Sequence, residues 1–435
     1  MNKKADAIII GSGVMGCAIA FEMAKKGYKT LNIDKLPTAG YGSTSGSCAI
    51  VRFSYSTRPG VLLAYESSFY WKKWAEYLGT ADEKGFARYI NSGSVLIKSD
   101  DQDFGRMERH FKEIGIPYEE WDTETLKKKM PLYDLSRFWP PCLPDDEKFS
   151  ETSSETVEGA LYNSDSGYVN DPQLSCHNLQ RAAEAHGAEF IYNSEVAAVR
   201  RADGRVIGVT LKDGQEIDAP IVVNAAGPHS FVINRMAGVE AGMNIRTRPL
   251  RHEVHIVPAP EGVDFEAVGC HTSDGDNGVY FRPESGNTIL VGGEDPECDP
   301  KEWVEDPDNF NRKITEGPWT AYVYRLARRI PSLRIPNQPS GLAELYDVAD
   351  DWIPIYDKSD LKGFYMAVGT SGNQYKNAPV VGVMMTELIE ACENGHDHDK
   401  DPVEFTCKHT GLPLSPGFFS RLREINPDSS FSVNG

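Results

Sequence analysis

Ala7-Ile8-Ile9-Ile10-Gly11-Ser12-Gly13-Val14-Met15-Gly16 is the stretch whose reading decides the fold. Four consecutive apolar residues predict a strand buried on both faces, as in a parallel sheet, because a half-exposed strand would alternate polar and apolar side chains. The glycines then follow a G-x-G-x-x-G spacing, and an apolar pattern of helical period runs on to Lys26-Gly27. Gly11 admits the tight turn, Gly13 lets a pyrophosphate approach the backbone, and Gly16 allows the helix to pack closely on the strand. The helix N-terminus then faces the phosphate charge. A second apolar strand, Thr30-Leu31-Asn32-Ile33, delivers Asp34 where a carboxylate accepts hydrogen bonds from the ribose hydroxyls of an adenosine. The pattern predicts a Rossmann-type dinucleotide cradle and leaves FAD and NAD both open.

The rest of the chain bounds what such a cradle serves. Its 435 residues suffice for two domains or for one large domain with a second woven through it, and 40% apolar with 25% charged residues is a globular composition. A formal charge of -19 argues against long contacts with nucleic acid or anionic lipid, so an acidic substrate needs local positive charge. Met1-Asn2-Lys3-Lys4 leads directly into the first strand without the apolar region of a secretion signal, and no stretch reaches membrane-spanning length. Eight cysteines occur singly, without metal-ligand spacing, which reads as reduced thiols in a cytoplasmic protein.

Three distant segments extend the nucleotide-binding pattern. Gly40-Tyr41-Gly42-Ser43-Thr44-Ser45-Gly46-Ser47 is a small-residue loop suited to lie against a bound group. Residues 196–211 predict a hairpin with Asp203-Gly204 at its tip, and Ile221-Val222-Val223-Asn224-Ala225-Ala226-Gly227-Pro228 a buried strand entering a small-residue turn. Gly363-Phe364-Tyr365-Met366-Ala367-Val368 leads as a strand into Gly369-Thr370-Ser371-Gly372-Asn373, with a helix expected from about Pro379 to Glu390.

Taken jointly, the glycine cradle with Asp34, the loop from Gly42-Ser43 to Arg52, Asn224-Ala225-Ala226-Gly227, the segment Tyr346-Asp347-Val348-Ala349-Asp350-Asp351-Trp352-Ile353-Pro354-Ile355, and residues 369–376 give the chain a family resemblance. It resembles the FAD-dependent amine and amino-acid oxidoreductases that include D-amino-acid oxidase, glycine oxidase, sarcosine oxidase and dimethylglycine dehydrogenase. The resemblance implies an α/β (α+β overall) architecture. In it a glutathione-reductase-like FAD-binding Rossmann domain (1–90, 160–232 and 341–435) is interleaved with a mixed or antiparallel-sheet substrate domain (91–159 and 233–340).

It also implies a noncovalent FAD against Gly11, Gly13, Val14, Met15 and Gly16, with Asp34 and Lys35 at the adenosine end. Gly42, Ser43, Thr44 and Ser45 line one side, and Val196, Ala226 and Gly227 the other. From Gly369, Thr370, Ser371, Gly372, Asn373 and Gln374, backbone N–H groups and the dipole of the following helix would stabilise negative charge arriving on the flavin ring. Arg52 and Lys376 match the residues that grip the substrate carboxylate in sarcosine oxidase and its relatives, the arginine by paired hydrogen bonds and the lysine as a point charge. Tyr280 matches a tyrosine that faces substrate, and Arg251 and Arg282 are weaker candidates for a second anionic group.

The sequence departs from the family at four places. Leu290 replaces a lysine associated with oxygen activation, so the acceptor is left as oxygen, a quinone or an electron-transfer protein. Glu344 and Gly46 replace the cysteine and histidine used for covalent flavin attachment, and Glu294 falls near an active-site histidine. The expected reaction is hydride transfer from the carbon beside nitrogen of a small, carboxylate-bearing amine, giving an imine that hydrolyses. A flavin subunit of a multi-subunit dehydrogenase, an FAD-dependent 2-hydroxy acid dehydrogenase and an NAD-binding reading of the cradle are the alternatives. Residues 140–158 and 299–308 read as polar loops that either cover the site or form solvated connections.

Overall fold

The computed structural model of the protein describes residues 3–100, 102–151 and 153–435. Met1 and Asn2 of the N-terminal segment, and Thr152 of the expected 140–158 loop, lie outside the described residues. Ala7–Ile10 is the strand that the apolar run predicts, and its neighbours account for the composition. Ala7 and Ile9 point into a core shared with the helix Val14–Lys25, while Ile8 and Ile10 point into a second core with Val199, Val209 and Ile233. Both faces of the strand are covered, so neither face calls for polar residues.

Ala7–Ile10 sits inside a six-stranded sheet. The order is Glu189–Ile191, Thr30–Ile33, Ala7–Ile10, Ile221–Asn224, Phe364–Val368 and Ile355–Lys358. The first five run parallel, and the last pairs antiparallel to Phe364–Val368. On one face lie the helices Val14–Lys25, Pro172–Ala185 and Ala378–Glu393. A Cβ at Gly382 would stand 2.7 Å from the Ala18 carbonyl oxygen, so the glycine lets the first and last of these helices approach closely. The hairpin Val196–Ala202 with Arg205–Leu211 forms as expected, with Asp203 and Gly204 both at positive φ in its two-residue turn.

The second body is a nine-stranded mixed sheet around the long strand Thr247–Pro258, which pairs with Thr288–Gly293 and with Gly341–Ala349. Beyond Thr288–Gly293 come Val279–Glu284, His271–Asp274, Ser94–Ile97, Gly159–Asn163 and Glu119–Asp122. Period-two alternation gives this sheet two different faces. Val279, Phe281, Ile289 and Val291 pack with Trp319, Val323 and Leu326 of the helix Glu316–Arg329. Tyr280 and Leu290, on the opposite face, pack with Cys48 and Ile50 from the small-residue loop.

Two expected boundaries fall inside this sheet: Gly159–Asn163 and Gly341–Ala349 both hydrogen-bond into it, although residues 160 and 341 were expected to open stretches of the nucleotide domain. Long-range strand pairing overrides the chain-order division here. No helix among the described residues is long and apolar enough to cross a membrane, and all eight cysteines are free.

Candidate active site

The cradle shows why its residues are glycines. Gly11 has φ +105, and a Cβ there would stand 2.3 Å from the Ala225 carbonyl oxygen; one on Gly16 would stand 2.1 Å from the Gly11 oxygen. Gly13 has more room, with only the Thr44 hydroxyl at 3.2 Å from a Cβ position. Asp34 accepts from the Ser12 N–H at 2.7 Å and from the Leu36 N–H at 2.9 Å, fixing its carboxylate beside the turn. Burial pushes that carboxyl above its ordinary range, while these two N–H donors pull it back. Thr44 Oγ1 accepts from the Val14 N–H at 3.1 Å, and Ser43 donates to the Leu345 carbonyl at 2.7 Å, tying the small-residue loop to both bodies.

A cleft of about 880 Å³ runs from this cradle, and a smaller chamber of about 160 Å³ adjoins it, sharing Gly13, Ser43, Thr44 and Gly227 as walls. The cleft carries Gly11, Asp34, Lys35, Gly42, Ser45, Val196 and Ala226. The chamber carries Val14, Met15, Thr370, Gly372, Asn373 and Gln374, together with Arg52, Tyr280 and Lys376. Gly16, Gly369 and Ser371 line neither. Gly16 acts through helix packing. The other two are drawn away by Asp347, whose carboxylate accepts from the Gly369 N–H at 2.7 Å and whose carbonyl accepts from the Ser371 N–H at 2.7 Å.

The Asn373 N–H is bonded to Thr370, and the helix starts only at Ala378, after the 3-10 turn Tyr375–Asn377. The amides of Gly369, Ser371 and Asn373 are therefore engaged within the fold rather than open to a ring. Asp347 itself is 1% exposed, and its carboxyl is pushed up to about 7 by burial, against the hydrogen bond from Gly369.

Arg52 and Lys376, 324 residues apart in sequence, converge on one ring. Lys376 Nζ donates to the Tyr55 hydroxyl at 2.7 Å and to the Asn373 carbonyl at 2.8 Å, and lies 5.1 Å from the Tyr55 ring centre; the Arg52 guanidinium lies 4.8 Å from that centre. Arg52 also donates to the Val433 carbonyl at 2.6 Å and to the Ser54 carbonyl. The two cations are 7% and 3% exposed, and among the described residues neither forms an ion pair. Burial, and then the Arg52 charge, drive the Lys376 ammonium well below its ordinary range. Two buried basic side chains with only neutral partners can take an anion between them, and an anion there would draw the Lys376 ammonium back up.

Tyr280 forms the facing wall, its hydroxyl 3.2 Å from Cys48 Sγ. A Cβ on Gly292 would be 2.4 Å from that hydroxyl, so the glycine makes room for the ring. Burial raises both the tyrosine and the thiol, which keeps Cys48 a protonated packing residue.

Residues 6–388 match the FAD dependent oxidoreductase family. The chain belongs to the FAD-dependent oxidoreductases. It is 25% identical over 410 residues to glycine oxidase of Geobacillus kaustophilus (strain HTA426), covering 91% of this chain and 96% of that one. It is 26% identical over 381 residues to mitochondrial sarcosine dehydrogenase of Homo sapiens, covering 84% of this chain and 37% of that protein. The fold is similar to the crystal structure of L-proline dehydrogenase from P. horikoshii, at TM-score 0.74 and 22% identity, covering 98% of this chain and 100% of that one. The cofactor of the cradle is thereby FAD rather than NAD, and the Cβ-intolerant glycines, the half-buried Asp34 and the continuous cleft fit it.

This FAD-dependent oxidoreductase corrects two expectations and adds residues that the sequence reading did not single out. Arg282 is ion-paired with Glu284 at 2.9 Å and donates to the Cys48 carbonyl; Arg251 pairs with Glu253 at 2.6 Å and Glu302 at 3.0 Å. Each already has its anion, and neither lines the chamber. Residues 306–308, expected as part of a polar loop, wall the dinucleotide cleft, where Asp308 is bonded to Lys35 and lies 3.1 Å from His229 Nε2. Val433 and Asn434 line the chamber, as does His271. For His271 a signal existed in the sequence: pairing Ser273 with Tyr280 across the turn between their strands puts His271 on the same face as that tyrosine.

Proposed function

We propose that this enzyme oxidises the carbon–nitrogen bond of a small amino acid or N-alkylated amino acid, with the substrate carboxylate held between Arg52 and Lys376. The observation that carries the reading is the pair of buried basic side chains on Tyr55, which have only neutral partners. A carboxylate there would replace Arg52 bonds to neutral carbonyls with ion-paired ones, and the planar guanidinium can make two of them in parallel. Glycine oxidase and sarcosine dehydrogenase among its relatives, both named for small amino acids, support the same donor class.

FAD, when bound, supplies the two-electron acceptor. The chain's own residues supply the rest. Arg52 and Lys376 fix the carboxylate and with it the neighbouring carbon. Tyr280 and Tyr346 wall the chamber and exclude water. Asn373, 3% exposed with its amide nitrogen unpartnered among the described residues, offers a further donor at the chamber wall. Leu290 packs with Val254 and Tyr280 in an apolar patch, so the sheet offers no cation at that place.

The test is anaerobic absorbance of the purified holoenzyme mixed with sarcosine, dimethylglycine, glycine, D- and L-amino acids and 2-hydroxy acids. Bleaching of the oxidised flavin band by an amine, and not by the matching hydroxy acid, is expected. Bleaching only by hydroxy acids overturns the reading. Readmitting air then separates oxygen from a quinone or protein acceptor.

A further inference from the structure

We propose that His271 takes the proton from the substrate's ammonium group, and that the carboxylate clamp makes this transfer conditional on a correctly seated carboxylate. The proposal rests on the amine-oxidation reading above. A donor carbon releases hydride only when the nitrogen beside it has a free electron pair, and an amino acid in neutral water carries an ammonium. A group in the chamber that accepts that proton lets the ammonium form, the abundant one at neutral pH, serve as substrate.

His271 opens the strand His271–Asp274, is 1% exposed, and lines the chamber. Its ring is anchored by Nδ1, 2.8 Å from the Ser94 hydroxyl on the adjoining parallel strand. With Nδ1 donating to Ser94, the lone pair sits on Nε2. The charges that act on the ring are those of Arg52, Lys376 and Arg282. Burial first, and then these three cations, hold the imidazole neutral, well below its ordinary range. Arg282 already has Glu284 at 2.9 Å, whereas the two clamp residues have no carboxylate among the described residues. A substrate carboxylate between Arg52 and Lys376 offsets the charges that depress His271, so proton affinity at Nε2 rises as the ammonium arrives. The ammonium N–H bond then breaks, its electron pair stays on nitrogen, and the proton forms Nε2–H; the imidazolium returns the proton to solvent after product leaves.

Other groups on the chamber wall serve less well. The Tyr280 hydroxyl is bonded to Cys48 and raised far above its ordinary range by burial. Glu294 accepts from the Ser273 hydroxyl, so part of its carboxylate is already engaged on the strand that carries His271. Lys376 is the competing acceptor, but it is also one arm of the clamp.

The experiment uses the FAD-loaded enzyme and acetate as an unreactive carboxylate. In His271→Asn, acetate binding, read as a shift of the flavin band, stays within about twofold of wild type. The anaerobic bleaching rate with the best amine falls by about 100-fold at neutral pH and recovers as pH rises toward the substrate's own ammonium pKa. Free imidazole restores part of the rate in His271→Ala. A bleaching rate and pH profile unchanged in His271→Asn overturns the proposal, as does a loss confined to acetate binding. Nitrogen-15 NMR of the wild-type protein tests the coupling independently of any variant: acetate should raise the pH at which one of its imidazoles titrates, and no such shift overturns the proposal. If no amine bleaches even the wild type, it is the amine-oxidation reading that fails, and the NMR titration still decides the coupling.

Discussion

The cradle and the chamber are adjoining parts of one cleft, yet they are built in opposite ways. The cradle is six consecutive residues, and its geometry is set by backbone against backbone: Gly11 against Ala225, Gly16 against Gly11. The chamber takes residues from the loop before Arg52, the strands carrying His271, Tyr280 and Asp347, the turn carrying Lys376, and the segment carrying Val433. Its character is set by side-chain charge in a buried space. The first should fail when an atom is added, the second when a charge is moved.

The sharpest break comes from Gly16→Ala. Its Cβ would meet a carbonyl oxygen at 2.1 Å on a backbone that cannot yield, and overpacking of this kind costs roughly 1–3 kcal/mol. The expected protein is colourless on purification and melts several degrees lower. Gly13→Ala separates folding from cofactor: its Cβ meets only the Thr44 hydroxyl at 3.2 Å, so the melting temperature should hold while FAD affinity drops at least about tenfold.

Charge dominates at Asp347. Its folded carboxyl sits at about 7, above the unfolded value, so the folded state binds the proton more tightly. Protonation therefore contributes stability that is greatest below about pH 4 and is lost as pH rises through about 7, on the order of 4 kcal/mol in all. Apoprotein melting temperature should fall between pH 5 and 8. Asp347→Asn, whose amide oxygen still accepts from Gly369, should flatten that slope. An unchanged slope in the variant would assign the titration elsewhere.

The same contrast governs what could be read in advance. The cradle, its following helix and the Asp203-Gly204 hairpin are local, with each residue's reason lying within a few positions, so they are legible. Arg52 and Lys376 came only through the resemblance to a family, because nothing near either residue says that both will meet Tyr55. Arg251 and Arg282 looked equivalent to Arg52 as bare arginines; what separates them is the presence of Glu253 and Glu284 in space. The capture of the 369–373 turn by Asp347 was likewise out of reach, since it depends on Gly341–Ala349 joining the larger sheet.

Within the chamber, Arg52→Ala should cost carboxylate-bearing donors about 1.5–3 kcal/mol, or roughly 10- to 150-fold in kcat/KM, through the lost charged hydrogen bonds. An amine without a carboxylate should lose almost nothing. Arg52→Lys should recover little, because one ammonium does not reproduce the guanidinium fork that now reaches both Ser54 and Val433. Equal losses for donors with and without a carboxylate would show that Arg52 holds the chamber together rather than the substrate.

The smallest effect is expected where the two modes of construction meet, at Asp308. This residue comes from the segment after the larger sheet's Glu302–Trp303 strand, yet it closes over the cradle by bonding Lys35, next to Asp34, and His229. Asp308 is more than half exposed in its side chain, so solvent screens the pair, and exposed pairs contribute about 0–1 kcal/mol. Asp308→Ala should therefore weaken FAD binding by no more than about fivefold, measured by equilibrium titration of the apoprotein. The wild-type advantage should shrink as salt is raised, because the contact is electrostatic and open to water. A much larger loss that salt does not touch would mean that the segment holds the cofactor by packing, through Pro307 and Phe310 in the same wall, and that the cradle is fixed from outside as well as by its own backbone.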